Sequence, residues 1–256
     1  MKDIDSISLN ELHLSNCLFK NPHRILQASG MSTSIDPEIL QMPAYINWAE
    51  EGKTTKIKYQ GLCRSCYAFS GLASVESAIL IKYDKNIVLS EQEVLACGNV
   101  EPYKMKGCQG GRPSQVLRYI SDNGINIEKY YPYDDTQAID SELICKRDNN
   151  SPKFQHYIFS GRPSRNIVSL MRFLEHGPVV VNHYVPQFFE YYSSGIFRPY
   201  NCPILRSLNE KPVDMTLDHS SIIVGYNFLS EEKPYFILKN SWGLRWGEKG
   251  KYTLLF

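Results

Sequence analysis

The stretch Gln60-Gly61-Leu62-Cys63-Arg64-Ser65-Cys66-Tyr67-Ala68-Phe69-Ser70 decides how the rest of the chain is read. Gly61 frees the backbone for a turn. Cys66 then opens a run, Ala68 to Ile81, that is apolar on most sides and contains no proline. Such a run reads as a buried helix. The first N–H groups of a helix have no partner within it, and that end carries partial positive charge. A thiol placed there loses its proton more readily, and the thiolate is the nucleophile. Taken alone, the stretch also fits a small buried cysteine, or the redox pair Cys63 and Cys66.

The 256 residues suffice for one large domain or two small ones. With 28 basic and 27 acidic residues the net charge is +1, which gives no reason to expect a nucleic-acid partner. Lys53, Lys56 and Lys58 cluster and are expected on a solvated strand face. No apolar run reaches membrane-spanning length, so no membrane partner is expected. Met1 to Lys20 lacks the basic-then-apolar pattern of a signal peptide. Cysteines stand at 17, 63, 66, 97, 108, 145 and 202, an odd count that leaves a free thiol to explain. No paired Cys-x-x-Cys motifs occur, and neither a metal nor a cofactor is expected.

Residues 1–42 lack sustained periodicity; Ser6 to Leu18 is expected to give a short amphipathic turn or two, and Gly30 to Ser34 a loop. Ser90 and Glu93 have capping-box spacing before a short helix. Gly107-Cys108-Gln109-Gly110-Gly111 reads as a tight turn. A helix follows from about Pro113 to Ser121, ending near Gly124. Asn149-Asn150-Ser151 is a glycosylation sequon weakened by Pro152. Asn166 to His176 reads as an amphipathic helix closed by Gly177-Pro178. Strand-like runs come after it: Val179 to Val185, Ser220 to Asn227, Pro234 to Asn240 and Lys251 to Phe256. Helices first and strands later imply an α+β fold with two lobes and a boundary near residues 150–165.

Two later segments bear on the chemistry of Cys66. His219 lies in Leu217-Asp218-His219-Ser220-Ser221-Ile222-Ile223-Val224-Gly225-Tyr226, at the start of a strand that reads as buried. Asn240 lies in Lys239-Asn240-Ser241-Trp242-Gly243, with Trp246-Gly247 following. His183, inside an apolar run, reads as a core histidine. The four segments, in this order, resemble those of the papain family of cysteine peptidases, its cathepsin L-like group included. That family surrounds its catalytic cysteine with C-G-[SA]-C-[WY] and places a histidine some 130–150 residues later. Here Cys63-Arg64-Ser65-Cys66-Tyr67 departs at Arg64, and His219 lies 153 residues after Cys66.

The resemblance covers about residues 43–256. It implies a helical lobe to about residue 155, an antiparallel, barrel-like lobe over about 156–256, and an active-site cleft between them. Residues 1–42 then resemble a leader or the remnant of a propeptide. Cys66 is implied as nucleophile and His219 as base and acid, ionised together as thiolate and imidazolium. Asn240 would orient His219 under the cover of Trp242, and Gln60 would donate to the oxyanion beside the Cys66 N–H. Gly110, Gly111, Arg112, Pro113, Asn182, Ser220 and Trp242 are implied to contact substrate, with Arg112 able to favour an acidic side chain. The implied disulfides are Cys63–Cys108 and Cys97–Cys145, leaving Cys17 and Cys202 free. Implied too are protein or peptide substrates, cystatin-type inhibitors, a monomer, and a secreted or lysosomal/vacuolar location. The first alternative is a catalytically silent homologue that grips peptides without turnover. The second, a thiol oxidoreductase using Cys63 and Cys66, lacks a supporting βαβ context.

Overall fold

The computed structural model describes residues 7–13, 38–139, 142–148, 150–155, 158–161, 167–185, 188–198, 218–228 and 233–255. Cys17, Cys202, Asn149 and the stretch Gly30 to Ser34 lie outside these residues. The described elements begin with strands β1 (Ile7–His13) and β2 (Tyr45–Asn47). Helices α1 (Cys66–Tyr83), α2 (Glu91–Cys97) and α3 (Pro113–Asn123) follow, then strands β3 (Ile125–Asn126), β4 (Lys153–Phe154) and β5 (Ile158–Gly161). After helix α4 (Ile167–Leu174) come β6 (Val179–His183), β7 (Ile196–Phe197), β8 (His219–Asn227), β9 (Tyr235–Lys239) and β10 (Lys251–Leu255).

α1 has 13 of its 18 residues buried, which places it between structures rather than on a surface. On one side Leu72, Val75 and Ile79 pack with Leu89, Val94, Leu95, Val116 and Ile120 in a helical core. Burying each of these side chains contributes roughly 1.5–3 kcal/mol. On the other side Ala73 meets Ile222, Val224 and Ile237 of the sheet. A second core joins α4 to the sheet through Leu170, Met171, Leu174, Val179, Ile223, Phe236 and Tyr252. Ile39 and Ile46 belong to this second core, so the segment preceding α1 crosses to the β-rich side.

The sheet runs β5-β1-β6-β8-β9-β10-β7, with β2 paired to β8 as well. Pairings among β6, β8, β9, β10 and β2 are antiparallel. β1 runs parallel to both its neighbours, and β7 parallel to β10. Among the described residues the sheet stays open, with β5 and β7 at its edges, rather than closing as a barrel. The fold is α+β, as the order of helical and strand-like runs implies.

Three local expectations are revised. Ile7–His13 is a strand, not an amphipathic turn; the alternation Ile7-Ser8-Leu9-Asn10 suits a strand, and pairing on both sides completes it. The capping box at α2 is half-formed. Ser90 Oγ accepts from the Glu93 N–H at 3.0 Å, but the Glu93 carboxylate turns to Tyr119 Oη at 3.0 Å and the Asn126 N–H at 2.8 Å. The third revision concerns the lysines, which share no strand face. Lys53 pairs with Asp84 at 2.8 Å, while Lys58 sits half-buried between Glu76 at 2.7 Å and Glu91 at 2.5 Å. Two carboxylates from separate helices create a site for a lysine that its own neighbours do not reveal.

Gly225 shows how tightly β2 seats on β8. A Cβ there would lie 2.0 Å from the Ile46 carbonyl oxygen, which belongs to rigid paired backbone. Gly225→Ala is therefore expected to destabilise the protein by about 1–3 kcal/mol, the usual cost of overpacking. A lowered urea midpoint checks this; an unchanged midpoint contradicts the close seating of β2.

Candidate active site

The turn before α1 requires its glycine. Gly61 has φ +63°, and a Cβ there would meet the Asp135 carbonyl oxygen at 2.3 Å. The turn delivers Cys66 to the first residue of α1, beside the helix's unpaired N–H groups. Cys63 is bonded to Cys108, and Cys97 to Cys145, so Cys66 is the free cysteine among the described residues. The bond to Cys108 removes Cys63 from any redox pair with Cys66. It also holds the loop Gly107–Gly111 against the start of α1. Tyr67 fills the space beside that loop, donating to the Gly107 carbonyl at 3.1 Å. Its ring would lie 2.6 Å from a Cβ at Gly111.

His219 opens β8 and Asn240 follows β9, adjacent strands of one sheet. His219 Nε2 lies 2.8 Å from Asn240 Oδ1. Asn240 Oδ1 also accepts from the Ser241 N–H at 2.8 Å, so this oxygen faces the ring and His219 donates from Nε2. The tautomer leaves Nδ1 free to take a proton. Trp242 covers the pair, its ring centre 4.9 Å from that of His219. Trp242 is itself braced by Phe189 at 5.6 Å and Trp246 at 4.9 Å.

The two lobes meet at the site through paired polar groups. Gln60 Oε1 accepts from Ser241 Oγ at 2.6 Å, and its Nε2 donates to the Cys63 carbonyl at 2.8 Å. A side-chain amide carries two N–H donors, so one remains beside Cys66. Ser70 Oγ lies 2.7 Å from Ser220 Oγ, fixing α1 to β8. Gln60, Cys66, Gly110, Gly111, Arg112, Asn182, His219, Ser220 and Trp242 all line one cleft of about 1290 Å³. Asn240 is buried behind it, and Pro113 is buried at the first position of α3, outside the lining. Among the described residues no group of three His, Cys, Asp or Glu side chains is placed to hold a metal ion.

Burial weighs against the expected thiolate–imidazolium pair. Burial pushes the Cys66 thiol up to about 11, against the backbone N–H groups of Ser220 and Tyr67. Burial, and then the neighbouring His183, push His219 down to about 3. Burial thus works against charge on both groups, while the N–H groups at the start of α1 favour it on the thiol. His183 is the contributor that sequence reading left in the core. It is buried, lies 3.1 Å from Ser221 Oγ and 2.8 Å from Tyr252 Oη, and pairs across the strands with His219. The two imidazole rings are 5.3 Å apart and nearly perpendicular. Only the register of β6 against β8 makes them neighbours, 36 residues apart in the chain.

With this geometry in hand, the chain can be set beside known proteins. A family defined as papain family cysteine protease matches residues 42–255. Over 210 residues the chain is 36% identical to mexicain of Jacaratia mexicana, covering 81% of this chain and 86% of mexicain. It is 33% identical to cathepsin S of Mus musculus, covering 82% of this chain and 57% of that protein. Bromelain from Ananas comosus, solved with the E64 inhibitor, superposes with a TM-score of 0.66 and 32% identity over 83% of this chain and 89% of that one. Procathepsin L 3 of Tenebrio molitor gives 0.69 and 29% over 88% and 66%. The chain belongs to the papain family of cysteine proteases.

The two depressed histidines carry a stability consequence. His183 is lowered by burial to about 4 and His219 to about 3, both below the unfolded value of about 6.5. As pH falls below that value the unfolded chain gains protons the folded one refuses, so stability is present near neutrality and lost toward acid. The expected slope is up to about 1.4 kcal/mol per pH unit for each histidine. Urea midpoints from pH 7 to pH 4 read this, and His183→Gln is expected to flatten the decline. An equally steep decline in the variant contradicts the assignment.

Proposed function

We propose that this chain is a cysteine endopeptidase that cuts peptide bonds through a Cys66 acyl-enzyme. One observation carries the reading above others. His219, oriented by the 2.8 Å bond to Asn240, shares a cleft of about 1290 Å³ with a free cysteine at the start of a buried helix. The thiol attacks the carbonyl carbon while its proton passes to His219 Nδ1, which acts as base at the moment of attack. The oxyanion is held by the Cys66 N–H and the second Gln60 amide N–H. Collapse expels the amine, which takes the proton from His219, and leaves a thioester on Cys66. Water, deprotonated by His219, attacks the thioester, releasing the acid and restoring the thiol.

Asn240 acts through His219 rather than on substrate, and Trp242 keeps water from their bond. The exposed backbone at Gly111 and the side chains of Arg112, Asn182 and Ser220 form the walls that an extended peptide meets. A monomer, inhibition by cystatin-type proteins, and a secreted or lysosomal/vacuolar site of action complete the reading. The two disulfides suit an oxidising compartment. Among the described residues no helix is long and apolar enough to cross a membrane.

A second reading has its own support. The raised thiol and the Arg64 beside it favour a homologue that grips peptides without turnover. The experiment that separates the two is a thiol-directed epoxide followed by mass mapping. Modification confined to Cys66, together with peptide hydrolysis that Cys66→Ser abolishes while leaving the urea midpoint unchanged, supports the peptidase. Unmodified Cys66, or equal turnover by the variant, overturns it.

Asn240→Ala is expected to lower kcat by about tenfold or more with little change in KM, because it frees the His219 ring rather than a substrate contact. Steady-state kinetics decide. An effect confined to KM would remove Asn240 from the orienting role.

A further inference from the structure

Four exposed cations line the helical side of the cleft: Arg64, Lys104, Lys106 and Arg112. Among the described residues no acid of that side lines it; the acids in the cleft, Glu190 and Asp218, come from the β-rich side. Lys104 is ion-paired with Glu101 at 2.8 Å. Arg64, Lys106 and Arg112 have no acidic partner among the described residues. The cleft's acids therefore stand opposite the cations rather than among them, and Asp218 Oδ1 accepts from the Val185 N–H at 2.7 Å.

The backbones carrying the three unpaired cations are tied into one unit. The Cys63–Cys108 disulfide joins the two segments. The Arg64 N–H donates to the Cys108 carbonyl at 3.1 Å, and the Lys106 N–H to the Gly110 carbonyl at 2.9 Å. The Arg112 N–H donates to Gln115 Oε1 at 2.8 Å. The charges therefore stand on a fixed wall, two residues from Cys66 at one end and beside the exposed Gly111 backbone at the other. Like charges held along a cleft focus potential on whatever enters it.

We propose that the cleft selects acidic peptides, with Arg64, Lys106 and Arg112 reading the carboxylates of side chains that lie against the helical wall. The proposal rests on the peptidase reading for its site but not for its test. The guanidinium groups of Arg64 and Arg112 can take a carboxylate bidentately, whereas Lys106 supplies a point charge. All three are solvent-exposed, so each contact is worth only about twofold to fivefold in affinity. The preference is electrostatic and weakens as salt screens it.

The test uses the Cys66→Ser protein, which reports binding whether or not the wild type turns substrate over. Labelled peptides of one extended sequence carry Glu, Gln or Lys at a single position, moved stepwise along the peptide. Fluorescence anisotropy gives Kd for each at low salt and at about 1 M salt. At one or more positions Glu is expected to bind about twofold to fivefold more tightly than Gln, and Lys more weakly than Gln. The gain shrinks in high salt and disappears in Arg64→Ala/Lys106→Ala/Arg112→Ala. Glu that is no better than Gln at every position, or a gain that survives in the triple variant, overturns the proposal and means these cations are solvated. The same peptides given to wild-type protein test the reaction separately. An acidic binding preference without hydrolysis removes the peptidase reading and leaves this one standing.

Discussion

Every other feature of the site depends on the contact of α1 with the sheet. Cys66 is carried by a helix buried in one core, while His219 and Asn240 are carried by strands of the other. The two sets of residues meet only because Ala73 packs against Ile222, Val224 and Ile237, and Ser70 bonds Ser220 at 2.7 Å. Gln60 repeats the tie from the other side of the cleft, through Ser241 at 2.6 Å. A small displacement of α1 along β8 would separate thiol from imidazole while leaving both cores intact.

Beneath that contact lies a buried ionic cluster that spans it. Glu76 of α1 and Glu91 of α2 hold Lys58, and Thr55 Oγ1 bonds Glu76 at 2.5 Å. Lys239, at the end of β9, reaches across to the Thr55 carbonyl at 2.8 Å. Burial raises Glu91 to about 7 and lowers Lys239 to about 8, whereas Glu76 and Glu91 outweigh burial at Lys58 and hold its pKa above the ordinary lysine value. Removing one member strands a buried charge, at a cost of about 3–5 kcal/mol. Such a cluster adds less to net stability than to register, because only one placement of the helix against the strand satisfies all of its groups.

The same burial sets the chemistry above it. Aromatic rings that shield the His219–Asn240 bond also desolvate the His219 ring. Shielding and charge separation thus oppose each other at His219. The cations Arg64, Lys106 and Arg112 stand on the wall beside the Cys66 thiol, opposite Glu190 and Asp218.

Much of this was legible in the chain. The apolar run after Cys66 specified a buried helix, the glycine and proline positions bounded α3 and α4, and the strand-like runs became β6, β8, β9 and β10. Cys66, His219, Asn240 and Gln60 stand out as site candidates through the resemblance of their segments to the papain family rather than through any segment alone, and the fold brings them together at one cleft. What no segment contains is the partner that arrives from elsewhere. Lys58 reads as a surface lysine until Glu76 and Glu91 enclose it. His183 reads as core and is buried, but only strand register sets it 5.3 Å from His219. Pro113 reads as cleft wall until α3 buries it. Ile7–His13 became a strand only by pairing on both sides. The sequence by itself determined most of the helices and strands, since those follow from local periodicity and turn geometry, and its site candidates through their resemblance to a known family. Tertiary structure alone decided how strongly Cys66 and His219 are desolvated, because desolvation depends on everything packed around a group and not on its place in the chain.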